Sequence, residues 1–435
     1  MPSPLADPVK LPCGLVLPNR LSKVFEPQPK YHWTICSLSD QAAMAEMMAK
    51  SNHPNDRFFD AYEQWSQGGW GSILTGNVQV DVDYLGSPFD PALHDEYTGD
   101  KTLVATWKKY ADACQKHGTP GIVQICHPGR QSFRVAGRRG MFAQTIAPSA
   151  VPMDVGSGLL ERIIATVAWS TPREMTQADI EKAIRHFVDT SRLMADAGFS
   201  GVELHGAHGY LLDQFLNSKT NLRTDKYGGT AEKRARFVLE ILSEIRKVVP
   251  STFCIGIKIN SADHSSATFE DTMTQIKLLV EAGVDFMEIS GGTYEDPRMM
   301  GYPSSTSEPK SARTMAREAF FLEFAKAVRE RHPDLVLMLT GGFRTRAGAE
   351  AAIRDNACDL VGIGRPAAID PKLPLLLMDE SVPDEKAALP LAKVPPPFYA
   401  KWLPRNLIGA GAETTYYAGQ IQRFAKGLAT YAPAL

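Results

Sequence analysis

The sequence predicts an α/β protein built as a (β/α)8 TIM barrel, and three observations carry that expectation. Short apolar runs alternate with long amphipathic stretches, the mark of repeated strand–helix units. The runs show little polar alternation, as parallel strands covered on both faces require. Glycines and polar groups gather where the runs end, and barrels place their chemistry at the C-terminal ends of strands. One domain can hold all 435 residues, because α/β barrels often exceed the usual domain length.

Taken in order, the first strand is expected in the segment around Leu21–Ala45. Seven more follow: Gly71–Gly76, Gly121–Cys126, Gly201–His205, Phe253–Ile259, Asp285–Ile289, Leu335–Leu339 and Asp359–Ile363. Helical patterns between them cover Gln177–Ala197, Thr230–Val249, Phe269–Ala282, Ala316–Arg331 and Thr345–Asn356. Thr176 and Asp179 have the spacing of a capping box at a helix start. The barrel is expected over residues 1–392. Within it, Pro148–Pro172 is long and poor in helical pattern, which suggests a lid or hairpin over the barrel mouth. Residues 393–435 form a C-terminal extension packing on the barrel. It opens near Pro395-Pro396-Pro397 and ends in a helix-like stretch, Thr414–Leu428.

Composition narrows the function classes. A formal net charge of −2 gives no electrostatic reason to expect nucleic acid or an anionic membrane as partner. No apolar run approaches the roughly 20 residues that span a bilayer. Met1–Lys10 lacks the basic-then-apolar pattern of a signal peptide, and Ala432–Leu435 carries no address signal. The six cysteines, Cys13, Cys36, Cys114, Cys126, Cys254 and Cys358, include no C-x-x-C pair. That pattern supports neither a zinc ribbon nor a four-cysteine cluster; free thiols and a cytoplasmic location are expected.

The densest chemistry lies in His205-Gly206-Ala207-His208-Gly209-Tyr210, directly after a strand. Two imidazoles can donate hydrogen bonds to a carbonyl or phenolate oxygen, and a tyrosine hydroxyl can supply a proton. Such a set suits hydride addition to an activated double bond. The same residues also read as a metal-ligand pair or as packing histidines in a glycine-rich turn, although no third metal ligand is evident. Phosphate binding is suggested by Thr340-Gly341-Gly342-Phe343 and Gly362-Ile363-Gly364-Arg365, where backbone N–H groups and a guanidinium can meet an anion. Barrels commonly bind phosphate after strands 7 and 8, and plain tight turns are the alternative. Gln124, at a strand end, offers a donor and an acceptor to a ring edge, or is a buried polar core residue.

The block Glu203–Phe237, ELHGAHGYLLDQFLNSKTNLRTDKYGGTAEKRARF, resembles the signature region of the Old Yellow Enzyme family over some 35 consecutive residues. The resemblance implies FMN as cofactor, NADPH (or NADH) as reductant, and an ene-reductase that cycles in a ping-pong manner. Its substrate would be an α,β-unsaturated carbonyl compound or a quinone. It implies that His205 and His208 hold the substrate carbonyl, Tyr210 protonates the substrate, and Arg234 contacts the flavin. It also implies a flavin contact at Gln124, a ring lying against Gly76, and FMN phosphate over Gly341, Gly342, Gly364 and Arg365. Related iron–sulfur dienoyl reductases would need a cysteine cluster that this chain lacks. An FMN-binding but catalytically impaired paralogue is the alternative, and a homo-oligomer stays open.

One departure from the family pattern sits in the first strand. Leu17-Pro18-Asn19-Arg20-Leu21-Ser22-Lys23 is separated from the flavin-contacting turn Ala43-Met44-Ala45 by Val24–Gln41. Deleting those eighteen residues restores a continuous family-like strand, NRLSKAAMAE. Valine codons begin GT and a glutamine codon can be CAG, the boundary bases of an intron. Val24–Gln41 is therefore expected to be a retained intron in the gene reading, with a surface insertion as the alternative.

Overall fold

A computed structural model describes residues 3–24, 46–134, 136–140, 142–154, 158, 163, 166–262, 268–290, 322–392, 394 and 405–433. Eight parallel strands close a barrel: β3 (Leu21–Lys23), β4 (Ser72–Leu74), β6 (Gly121–Cys126), β9 (Gly201–Gly206), β10 (Cys254–Asn260), β11 (Phe286–Ser290), β12 (Leu337–Thr340) and β13 (Leu360–Ile363). Closure is made by β13 against β3, with Val361 opposite Leu21 and Ile363 opposite Lys23. The barrel strands are buried almost throughout, so continuous apolar runs were the right signal for them. The first strand is shorter than its expected segment, and the remainder of Leu21–Ala45 beyond Val24 lies outside the described residues. A two-residue strand, β5 (Val78–Gln79), extends the sheet beside β6.

Helices cover the outside: α1 (Asp56–Ser66), α2 (Lys101–Gln115), α3 (Gln177–Asp196), α4 (Leu211–Leu216), α5 (Ala231–Val248), α6 (Phe269–Glu281), α7 (322–331), α8 (Arg346–Arg354), α9 (Arg365–Ile369), α10 (Leu373–Met378) and α11 (Arg405–Phe424). The expected cap of α3 is present, since the Thr176 side chain and the Asp179 backbone and side chain satisfy each other. Neither α1 nor α2 is among the expected helices, though both bury residues at helical spacing. In α1 these are Phe58, Ala61, Tyr62 and Trp65; in α2, Trp107, Tyr110, Ala111 and Cys114. The helix α11 begins well before Thr414 and packs on α1, with the Trp65 and Phe424 ring centres 5.0 Å apart.

Two smaller features frame the barrel. An antiparallel hairpin, β1 (Val9–Lys10) and β2 (Val16–Leu17), lies at the strands' N-terminal ends. Its Val9, Leu11 and Leu17 pack against Ile122, Cys254, Phe286 and Met338 and so floor the barrel. Around the 148–172 segment, β7 (Ile146–Ala147) and β8 (Arg173–Glu174) pair in parallel. Among the described residues no helix is long and apolar enough to cross a membrane.

Candidate active site

The C-terminal end of β9 carries the chain into a turn where His208 takes φ +59° and Gly209 φ +78°. Left-handed backbone is unfavourable for a residue with a Cβ, though histidine tolerates it better than most. Neighbours hold the turn. The His208 N–H donates to Asn260 Oδ1 (3.2 Å), the Asn260 amide donates to Asp213 Oδ2 (2.8 Å), and the Gly209 N–H donates to the same oxygen (2.6 Å). Gln131 Nε2 donates to the His208 carbonyl (2.9 Å).

This reversal folds three side chains onto one another. His205 Nε2 and His208 Nδ1 are 3.4 Å apart, and the His205 and Tyr210 ring centres are 4.4 Å apart. All three residues are buried, and Asn77 Nδ2 donates to the Tyr210 hydroxyl (2.9 Å). Burial, then the proton charge of His208 and the Lys258 cation, hold His205 well below the ordinary imidazole range. Burial and Lys258 act likewise on His208. Both rings are therefore neutral near pH 7, and each carries one N–H. The Ala207 N–H reaches His205 Nδ1 (3.4 Å), which leaves its proton on Nε2, facing His208. His208 Nε2 lies 3.0 Å from Ser290 Oγ. With His205 Nε2–H facing His208 Nδ1 at 3.4 Å, that Nδ1 accepts, and the His208 proton sits on Nε2 and is donated to Ser290 Oγ.

Beneath this group the barrel interior holds charge. Lys258 Nζ lies 3.1 Å from a Glu288 carboxylate oxygen and 3.8 Å from Glu203, all fully buried. Burial first, and then Glu288, push the Glu203 carboxyl well above the usual range. Gln124 Nε2 donates one of its two N–H groups to Glu203 Oε2, while its buried Oε1 has no hydrogen-bond partner. Gln124 thus reaches the site with an open acceptor.

Other expected positions fare differently. Gly76 is at the rim, where its N–H meets Glu46 Oε1 (3.1 Å) and the Tyr62 hydroxyl (2.9 Å). A Cβ there would come within 2.3 Å of Glu46 Oε2, so Glu46 is the group that presses on this glycine. Arg234 is not brought to the site. Its guanidinium, on α5, donates to the Leu216 and Gly229 carbonyls and to Asp271 on α6. The buried cation inside the barrel is Lys258, a residue absent from the expected set; its signal was a lysine inside the apolar run Cys254–Asn260. Ala43, Met44 and Ala45 lie outside the described residues.

The two glycine turns do come together. Gly342, Arg344, Gly362, Gly364 and Arg365 line one small cleft after β12 and β13. Gly341 and Gly342 have φ +148° and +79°, and a Cβ on Gly362 would fall 2.1 Å from Thr340 Oγ1. Glycine is needed at each. Arg365 Nη1 also donates to Glu413 Oε2 on α11 (2.9 Å). Among the described residues, the one group of three or more metal-type donor atoms within reach of one another is Cys13, Cys254 and Asp285.

Residues 36–381 match the family described as NADH:flavin oxidoreductase / NADH oxidase family. The NADH-dependent flavin oxidoreductase iccE of Talaromyces variabilis is 42% identical over 427 residues, covering 97% of this chain and 98% of that protein. The NADH-dependent flavin oxidoreductase iliE of Neonectria sp. (strain DH2) is 46% identical over 370 residues, covering 84% of this chain. This chain spans only 46% of that relative's length. Morphinone reductase superimposes with a TM-score of 0.66 at 22% identity, covering 96% of each chain, a likeness of fold.

Proposed function

The chain belongs to the NADH:flavin oxidoreductase / NADH oxidase family, oxidoreductases that bind FMN and take electrons from NAD(P)H, and from that premise we propose an ene-reductase acting on α,β-unsaturated carbonyl compounds or quinones. The observation that carries this reading is the convergence of two neutral imidazoles and a phenol over a buried cation.

The residues present fit FMN. The open Gln124 Oε1 can accept from the N–H edge of the ring, and Lys258 can face its electron-rich side. The cleft of Gly342, Gly364 and Arg365 can take the phosphate. When bound, FMN would supply hydride chemistry, collecting hydride from NAD(P)H and delivering it to the substrate's β-carbon. His205 Nε2–H donates to the substrate oxygen, with an N–H of His208 beside it, and the two draw electron density from the double bond. Tyr210 gives its hydroxyl proton to the α-carbon, and Asn77 holds the hydroxyl in place. The NADH in the names of the Talaromyces and Neonectria relatives makes NADH the reductant to try first, ahead of NADPH.

Anaerobic bleaching of the purified yellow protein by NADH, followed by reoxidation with a panel of enones and quinones, tests the proposal. Recovery of the yellow colour with stoichiometric reduced product supports it. A colourless protein, or a yellow one that neither nucleotide bleaches, favours the impaired paralogue.

Val24–Gln41 remains, on our reading, a retained intron, supported by the family-like strand that its deletion restores. Transcript reads joining Lys23 directly to Ala42 are expected. Transcripts that all keep the segment would refute this and make it a genuine insertion.

A further inference from the structure

The end of the barrel opposite the histidines carries a second cluster of reactive groups. Cys13 lies in the Leu11–Leu15 turn of the β1–β2 hairpin and is partly exposed. Cys254 opens β10 and is fully buried. Their sulfur atoms and a carboxylate oxygen of Asp285 all lie within 4.8 Å of one another. Nothing in the flavin chemistry above uses them.

We propose that Cys13 and Cys254 are a peroxide-responsive thiol pair that closes into a reversible disulfide between the floor hairpin and the barrel. Three features support a redox pair over a metal site. First, Asp285 is already engaged, its Oδ2 accepting from the Ile255 N–H (2.7 Å) and from Arg246 (2.6 Å), and that guanidinium opposes a cation. Second, the two thiols differ in the way such pairs need. A hydrogen bond from Cys254 draws Cys13 towards thiolate, while burial, then Cys13 itself, pushes Cys254 up. The accessible sulfur is the nucleophile, and the buried one is held in reserve to resolve it. Third, the sulfurs already lie within 4.8 Å, and the turn that carries Cys13 is unpacked on its outer side, so its approach to the bonding distance of about 2 Å breaks no contact there. Pro12 and Gly14 beside it are exposed, and no heavy atom lies within 4 Å of the Gly14 Cβ position.

The chemistry balances with hydrogen peroxide as oxidant. The Cys13 thiolate attacks one peroxide oxygen, the O–O bond breaks, and a sulfenic acid and water result. Cys254 then attacks the Cys13 sulfur, the S–O bond breaks, and the departing hydroxide leaves as water with the Cys254 proton. Two thiols and one peroxide become one disulfide and two waters; sulfur is oxidised and peroxide oxygen is reduced. The bridge would close a loop of more than half the chain.

The test is peptide mapping of the full chain as purified. The protein is reduced, freed of reductant, treated with equimolar hydrogen peroxide, alkylated and digested without reductant. Expected is a cross-linked species joining the Cys13 and Cys254 peptides, lighter by a pair of hydrogens and separated again by dithiothreitol. In Cys254→Ser, dimedone should capture Cys13 as the sulfenic acid. Recovery of both peptides singly alkylated after peroxide would overturn the proposal, as would a cross-link from Cys13 to Cys36 instead. Stoichiometric zinc in the purified protein, lost in Cys13→Ser and with no cross-link in the wild type, would overturn it in favour of a metal site.

Discussion

At the scale of single residues, the site depends on a left-handed histidine and a buried lysine. Replacing Tyr210 with Phe should leave flavin reduction by NADH intact and slow enone reduction by about 10²–10⁴-fold. Rapid mixing of each half-reaction measures both, and equal rates in mutant and wild type would remove Tyr210 from its role. Replacing Lys258 with Met leaves Glu203 and Glu288 facing each other without a cation. Breaking a buried pair in this way costs about 3–5 kcal/mol. Urea unfolding should show that loss, and the flavin-to-protein absorbance ratio should fall with it; an unchanged ratio would refute the flavin contact. His205, His208 and Tyr210 were legible because their types and spacing followed a strand. Lys258 was not, because a lysine in an apolar run shows its role only once neighbouring strands bring Glu203 and Glu288 to it. Arg234 misled because a family-like position does not say which way a helix turns its side chain. The Leu216 carbonyl and Asp271 take that guanidinium instead.

At the scale of elements, strands were more legible than their neighbours. Gly121–Cys126 lies where the sequence placed it, since both faces are covered and the run is unbroken. Helices α1 and α2 were passed over although their aromatic stripes have helical spacing. The capped start of α3 offers a direct measurement. Thr176→Ala should cost about 0.5–2 kcal/mol, because it removes the acceptor for the Asp179 N–H. Thermal or urea melts would detect it, and a change below a few tenths would show that Arg173, paired to Asp179, carries the helix start alone. The floor hairpin was unreadable beforehand. Its strands are two residues long, too short for alternation to register.

At the scale of the whole molecule, a polar interior sets the response to acid. Burial pulls His127 from an ordinary imidazole value down to about 3, and His205 and His208 are lowered too. The unfolded chain takes up these protons near pH 6.5, whereas the folded chain resists them. Their stabilising effect is thus complete above about pH 6.5 and drains away as pH falls below it, for His127 towards about 3, with a slope of at most about 1.4 kcal/mol per pH unit for each histidine. The raised Glu203 and Glu46 carboxyls act in the opposite sense, so the test is direct titration. NMR of the imidazoles should show His127, His205 and His208 still neutral at about pH 5.5, and protonated rings there would contradict the buried neutral set. The barrel itself was legible because alternating strand and helix patterns leave few closed alternatives, but its closure lies in long-range pairing that no local pattern contains. That closure has a consequence during synthesis. The Arg20 carbonyl accepts from the Val361 N–H, so that edge of the opening strand has no partner until the ribosome has released nearly all of the barrel. At about 5–20 residues per second the nascent edge waits on the order of tens of seconds, a window in which a chaperone or a neighbouring nascent chain can reach it first.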